Sequence, residues 1–178
     1  QATQSIHLLY FIVRKDEVGQ MLISLLAQKA AEGVEVRLVY DSAGCFGTTL
    51  KFFDSIIKAG GHVYKFHPPT LRLIGLNYNY RNHRKIVVID GRIGYLGGMN
   101  VGKEYMSLDP NYSPWRDAHL RLVGDAVWDL QHRFFRDYFM VCEDKRDEVH
   151  IQSNLDHYFS ASLVTTICPI QIVSDGPD

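Results

Sequence analysis

His83 and Lys85 stand two residues apart, followed after four residues by Asp90 and after six more by Gly97-Gly98-Met99-Asn100. Each residue type in that series has a use at a phosphodiester. An imidazole can act as a nucleophile near neutral pH when the attacking nitrogen is unprotonated. An ammonium is a point charge for phosphate oxygens, whose negative charge persists through the transition state. The Asn100 amide is a donor for the same oxygens, and Gly97 and Gly98 remove side chains where backbone must approach a ligand closely. His83, Lys85 and Asn100 are therefore expected to form one anion site, with Lys85 and Asn100 holding the phosphate. Asp90 is five residues from Lys85, so strand alternation sends it to the opposite face, as a support or turn anchor rather than a reactant. Any one of these residues alone would suit a buried strand, a D-G turn and a second strand. The joint spacing is what points to chemistry.

The strand that must position the pair is Ile86-Val87-Val88-Ile89, β-branched throughout. Residues two apart in a strand share a face, so His83 and Lys85 are expected side by side at one strand end. Upstream, Ser5 to Val13 reads as a buried strand, Asp16 as a helix N-cap, and Val18, Leu22, Leu25, Leu26 and Lys29 as a helical run stopped by Gly33. Val34 to Asp41 is a second strand, and strand-helix-strand order favours a parallel βαβ unit. Thr48 can cap a short helix carrying Phe53, Ile56 and Ile57, and His62 to Phe66 is a third strand. A loop rich in Tyr, Asn and Arg, Leu71 to Asn82, then delivers the chain to His83.

Downstream, Ile93 to Leu96 is expected to pair beside the motif strand. Trp115 to Val123 alternates, with Ala118, Leu120 and Leu122 on one face and Asp117, His119 and Arg121 on the other. Asp125 is placed to cap an amphipathic helix whose stripe of Val127, Trp128, Phe134, Phe135, Tyr138 and Phe139 reads as core packing rather than a membrane face. The charges from Glu143 to Glu148 read as a solvated helix end. Residues 151–166 lack a sustained period, and Pro169 to Val173 reads as the start of a new strand.

The chain has 178 residues, 46% hydrophobic and 22% charged, which suits one globular domain. A net charge of -1 supplies no overall field for nucleic acid. Arg72, Arg81, Arg84, Lys85 and Arg92 nevertheless cluster in sequence around the motif against Asp90 alone, which suits an anionic substrate. Three widely spaced cysteines indicate neither a disulfide framework nor a zinc site, and a reducing compartment is expected. No apolar run approaches the roughly 20 residues of a spanning helix, so a soluble chain is expected.

The pattern from His83 to Asn100 resembles the HKD signature of the phospholipase D superfamily. Beyond it, G-V-E-V-R-L-V-Y-D at 33–41, A-G-G-H-V-Y-K-F at 59–66, G-G-M-N-V-G-K-E-Y at 97–105 and P-W-R-D-A-H-L-R-L-V-G at 114–124 resemble bacterial cardiolipin synthases of that superfamily. The resemblance implies an α/β fold, a phospholipase D-like half with a mixed, mostly parallel sheet flanked by helices. It implies a first half over residues 1–145, a linker over 146–166, and a truncated second half beginning in 167–178. It implies transfer of a phosphatidyl group between two phosphatidylglycerols, giving cardiolipin and glycerol through a phosphohistidine, with no metal or other cofactor.

Asp117 matches the acid that would orient His83, with Glu104 as the fallback. Such sites pair two H-x-K motifs, and this chain has one. Its expected partners are therefore phosphatidylglycerol or another anionic phospholipid, and either a second half of a longer chain or a homodimer mate. No nucleic acid is expected. Whether His83 attacks phosphorus or protonates the leaving alcohol stays open. A single-motif phosphodiesterase acting on DNA as a homodimer and a non-catalytic pairing half are the competing readings. The implied location is the bacterial cell membrane, with the catalytic domain on the cytoplasmic side.

Overall fold

The structure is a computed structural model that describes residues 2–66, 81–160 and 168–174. Arg72 and nearly all of the Leu71 to Asn82 loop lie outside the described residues. Six strands form one sheet: β1 (Ser5–Tyr10), β2 (Glu35–Asp41), β3 (His62–Phe66), β4 (Ile86–Ile89), β5 (Ile93–Gly97) and β6 (His119–Val123). Their order is β3-β2-β1-β4-β5-β6. Five α-helices accompany them among the described residues: α1 (Glu17–Ala31), α2 (Asp54–Lys58), α3 (Ala126–Phe139), α4 (Lys145–Ser153) and α5 (Leu155–Tyr158).

The expected mixed α/β sheet is present, but parallel pairing is confined to β1, β2 and β3. The β1–β4, β4–β5 and β5–β6 pairs are antiparallel, so "mostly parallel" describes only one half of the sheet. The reason is connection length. Helical crossovers separate β1, β2 and β3, whereas Asp90-Gly91-Arg92 returns the chain from β4 to β5 in a tight turn that only antiparallel neighbours allow. Asp90 and Gly91 both take positive φ, 54° and 62°, as a primed hairpin turn requires.

Alternation along β1 and β2 divides the core. Ile6, Leu8, Val36, Leu38 and Tyr40 pack with Ile23, Leu26, Phe53 and Ile56 on the α1–α2 face. Leu9, Val39 and Val88 pack with Phe134, Phe135, Tyr138, Ile151 and Tyr158 on the α3–α5 face. Two covered faces explain why β1 is a nearly unbroken apolar run. The aromatic stripe of α3 is core, as its spacing predicts. His7 lies on the same face, fully buried, stacked on Phe134 and bonded to Gln131. Burial first, and the Arg37 charge second, hold its pKa down at about 3, so it stays neutral.

Several local expectations change. Asp16 does cap α1, accepting from the Gly19 N–H at 2.9 Å. Asp125 makes no such cap bond, and the short helical stretch after Thr48 begins as a 3-10 turn at Leu50. In β6 only Leu122 is buried, while Leu120 is 57% exposed, because the strand is the last of the described sheet and α3 covers one end of it. Residues 145–158 are helical and packed, with Ile151 and Tyr158 in the core. Asp147, expected on a solvated helix end, is buried and forms a two-point ion pair with buried Arg37 of β2, at 2.6 and 3.1 Å. Residues 168–174 carry no strand.

Because β4 runs against β1, the chain enters β4 at the edge where β1, β2 and β3 end. β5 also ends there and β6 begins there. His83, Lys85, Asn100 and Asp117 therefore all fall on one sheet edge.

Candidate active site

His83 lies just before β4 rather than within it, and its ring is exposed against the Phe11 ring, with centroids 4.6 Å apart. Lys85 is 2% exposed. Its ammonium turns back to donate to the His83 carbonyl oxygen at 2.6 Å and lies 5.2 Å from the centre of the Phe11 ring. The two side chains thus differ from the side-by-side arrangement predicted from strand alternation. The chain has not yet become regular strand at His83, so the period-two rule does not reach it.

Burial lowers the Lys85 pKa to about 8, with the Asp117 charge opposing the drop. Burial and then the Lys85 charge lower that of His83, against a smaller opposing pull from Asp41. An unprotonated imidazole at neutral pH follows, which is the form a nucleophile needs.

Asn100 reaches the same edge. Its side-chain carbonyl accepts from the Ile12 N–H at 3.0 Å and its amide donates to the Tyr105 hydroxyl at 3.1 Å. A primary amide carries two N–H groups, so one bond to Tyr105 leaves capacity for a ligand. The glycines serve a different neighbour from the one expected. A Cβ on Gly98 would stand 2.1 Å from Oδ1 of Asp117, and one on Gly97 would stand 2.4 Å from the Ala118 carbonyl oxygen. What comes close is the strand start of β6 and its carboxylate.

Asp117 accepts from the Trp115 indole N–H at 3.2 Å and from the Ala118 N–H at 2.8 Å. Its charge acts on Lys85 and His119. The carboxylate whose charge acts on His83 is that of Asp41. Glu104, the fallback, is ion-paired with Arg14 at 2.7 Å. Asp90 lies at the far end of β4, where its carboxylate accepts from the N–H groups of Thr3, Gln4 and Ser5. Burial would raise its pKa, but those bonds together hold it below the usual carboxylate value. It anchors β1 and not the site. Arg92 follows it in the same turn, so the cationic cluster read around the motif is split between opposite sheet edges.

Sequence reasoning did not anticipate Phe11, Asp41, Asn82, Tyr105 or Asp137. Asp41, 1% exposed, accepts from the Asn82 N–H at 3.0 Å. Asp137 of α3, fully buried, accepts from the Asn82 amide at 2.8 Å and also pairs with Arg133. An Asp ending β2 just after an apolar run is a weak signal of a functional edge. Asp137 inside an aromatic helix carried none. Among the described residues no cluster of His, Cys, Asp and Glu is placed to hold a metal ion.

Fold and site together define a phospholipase D-like domain. The backbone is similar to NucT from Helicobacter pylori (TM-score 0.58, 16% identity, 79% of this chain and 82% of that one). It is also similar to Nuc from Salmonella typhimurium, described as a phospholipase D family member (TM-score 0.53, 14% identity, 80% and 82%). The family model for "Cardiolipin synthase, PLD-like domain" matches residues 1–112, and the chain belongs to that family. It is 44% identical to the major cardiolipin synthase ClsA of Bacillus subtilis (strain 168) over all 178 of its residues. It spans 36% of that relative's length.

Proposed function

We propose that this chain is one catalytic half of a phosphatidyltransferase that joins two phosphatidylglycerols into cardiolipin and glycerol. The observation that carries the reading is an exposed His83 ring beside a buried lysine, in a chain similar from end to end to cardiolipin synthases. In this reading a ring nitrogen of His83 attacks the phosphorus of the first phosphatidylglycerol. The P–O bond to the headgroup glycerol breaks, and an imidazole of the second H-x-K protonates the departing oxygen. That second imidazole then takes the proton from a glycerol hydroxyl of another phosphatidylglycerol, whose oxygen displaces His83 from phosphorus. Lys85 and Asn100 stabilise the phosphate oxygens, and Asp117 supports Lys85 through its charge. Attack is assigned to His83 because its low pKa suits the nucleophile better than the acid.

The second H-x-K comes from the rest of a longer protein, of which residues 1–145 are the first half, 146–166 the connection and 167–178 the start of the second half, or from a homodimer mate. No helix among the described residues is long and apolar enough to cross a membrane. A phospholipid substrate would bring the domain to the bacterial cell membrane, and the resemblance to cardiolipin synthases implies its cytoplasmic side.

The test is the full-length protein with phosphatidylglycerol vesicles. Cardiolipin and glycerol should form in equal amounts, and His83→Ala should abolish both while the fold survives. Radiolabelled phosphatidyl should remain on His83 after acid-free denaturation. Plasmid cleavage without cardiolipin formation would move the assignment to the single-motif phosphodiesterase. Inactivity in both assays would move it to the pairing half.

A further inference from the structure

Asn82 is 1% exposed and is held at both ends. Its N–H donates to Asp41 at the end of β2, and its side-chain amide donates to Asp137 of α3. Its side-chain oxygen accepts from the Arg84 N–H, two residues on, at 3.2 Å. That last bond closes an Asx turn, and His83 is the residue inside it. On the far side of the turn the Lys85 ammonium grips the His83 carbonyl. The ring itself rests on Phe11. The Asp117 carboxylate, which the family resemblance assigns to orienting the ring, is engaged with Trp115 and Ala118.

We propose that Asn82 is the positioning residue for His83: its side-chain oxygen closes the turn that presents the imidazole, while Asp41 and Asp137 fix Asn82 to the sheet and to α3. The inference rests on the reading of His83 as the attacking group. It adds a three-element clamp that joins β2, the β4 approach and α3 at the reactive residue. A turn closed by a side chain sets a direction that a flexible loop cannot. Near-attack geometry is sensitive to about 1 Å, a displacement that costs on the order of 100-fold in rate.

The experiment compares Asn82→Ala with Asn82→Ser in the full-length enzyme. Both lose the bond to Asp137, so both should fall by a similar amount in thermal midpoint. Serine can still accept from the residue two on, whereas alanine cannot. Expected for Asn82→Ala is a kcat lower by about 100-fold with KM little changed. Asn82→Ser should stay within about tenfold of wild type. If Asn82→Ala does not fold, Asn82→Gln takes its place, because its longer side chain reaches Asp137 but does not close the turn.

A crystal structure of each variant gives a readout without turnover. The His83–Phe11 centroid separation, 4.6 Å here, should be kept in the serine variant and lost in the alanine one. Equal rate losses in the serine and alanine variants, or a folded alanine variant as fast as wild type, would overturn the proposal. A wild-type protein that makes no cardiolipin would instead overturn the function proposed above, and the crystallographic comparison would still decide the clamp.

Discussion

Lys85 gives the sharpest test of the site, because the same burial that shapes it also sets when it is charged. Its ordinary value of 10.5 is lowered to about 8 by burial, with Asp117 as the opposing charge. At pH 7 the lysine is still mostly an ammonium. By pH 9 only about a tenth of it is, and by pH 10 about a hundredth. The rate constant kcat/KM reports the free enzyme, so it should fall about tenfold for each pH step above 8. Arginine keeps its charge well past pH 12. Lys85→Arg should therefore lower the plateau but abolish the fall between pH 8 and 10.

The lowered pKa also makes a stability statement. Between about pH 8 and 10.5 the unfolded chain binds a proton that the folded chain does not, so folding stability gains with rising pH through that window. Below pH 8 the buried ammonium costs at most about 3 kcal/mol, less whatever water reaches it. Lys85→Met should then be inactive yet melt at a higher temperature at pH 7. The assay is kcat/KM for phosphatidylglycerol turnover from pH 5 to 10 in the full-length protein, with thermal melts alongside. A parallel alkaline fall in wild type and Lys85→Arg would show that some other group titrates, and the placement of Lys85 at the phosphate would fail.

Asp117→Asn removes the charge that supports the lysine, so the alkaline fall should begin at a lower pH; an unmoved fall would detach Asp117 from Lys85. Gly98→Ala would drive a methyl to 2.1 Å from the Asp117 carboxylate, and kcat should drop on the order of 10- to 100-fold while the melting temperature changes little, measured by parallel kinetics and melts. Asp147→Ala leaves Arg37 buried without its two-point partner, which costs about 3–5 kcal/mol and should lower the melting temperature by about 10 °C. In the intact protein, burial raises the Asp147 pKa, but the bonds from Arg37 and Tyr138 prevail and hold it below 3.8. That contribution is complete above pH 3.8 and is lost as the pH falls through the lowered value, so acid melts should show it disappearing only there.

Much of this protein was legible in its residues. The βαβ start follows from two apolar runs around a helix with Asp16 at its cap, and the Asp90-Gly91 turn follows from one of the few dipeptides that readily take two positive φ angles in succession. The H-x-K spacing points to phosphodiester chemistry before any fold is known, because so few residue sets can supply a nucleophile, a charge and an open approach together. Relations between distant elements were not legible. Nothing local says that Lys85 is buried while His83 is exposed, since the alternation rule needs a regular strand and the chain is still irregular there. Nothing local joins Asp41, Asn82 and Asp137, which are separated by 41 and 55 residues and meet only because β4 enters where β2 ends, under α3. Asp147 likewise reads as a solvated charge until α4 packs onto the sheet and pairs it with Arg37, 110 residues away. Local sequence determines which groups are present and how each segment tends to bend. The pairing of groups, and with it their pKa values and aim, depends on which segments the shared core brings together.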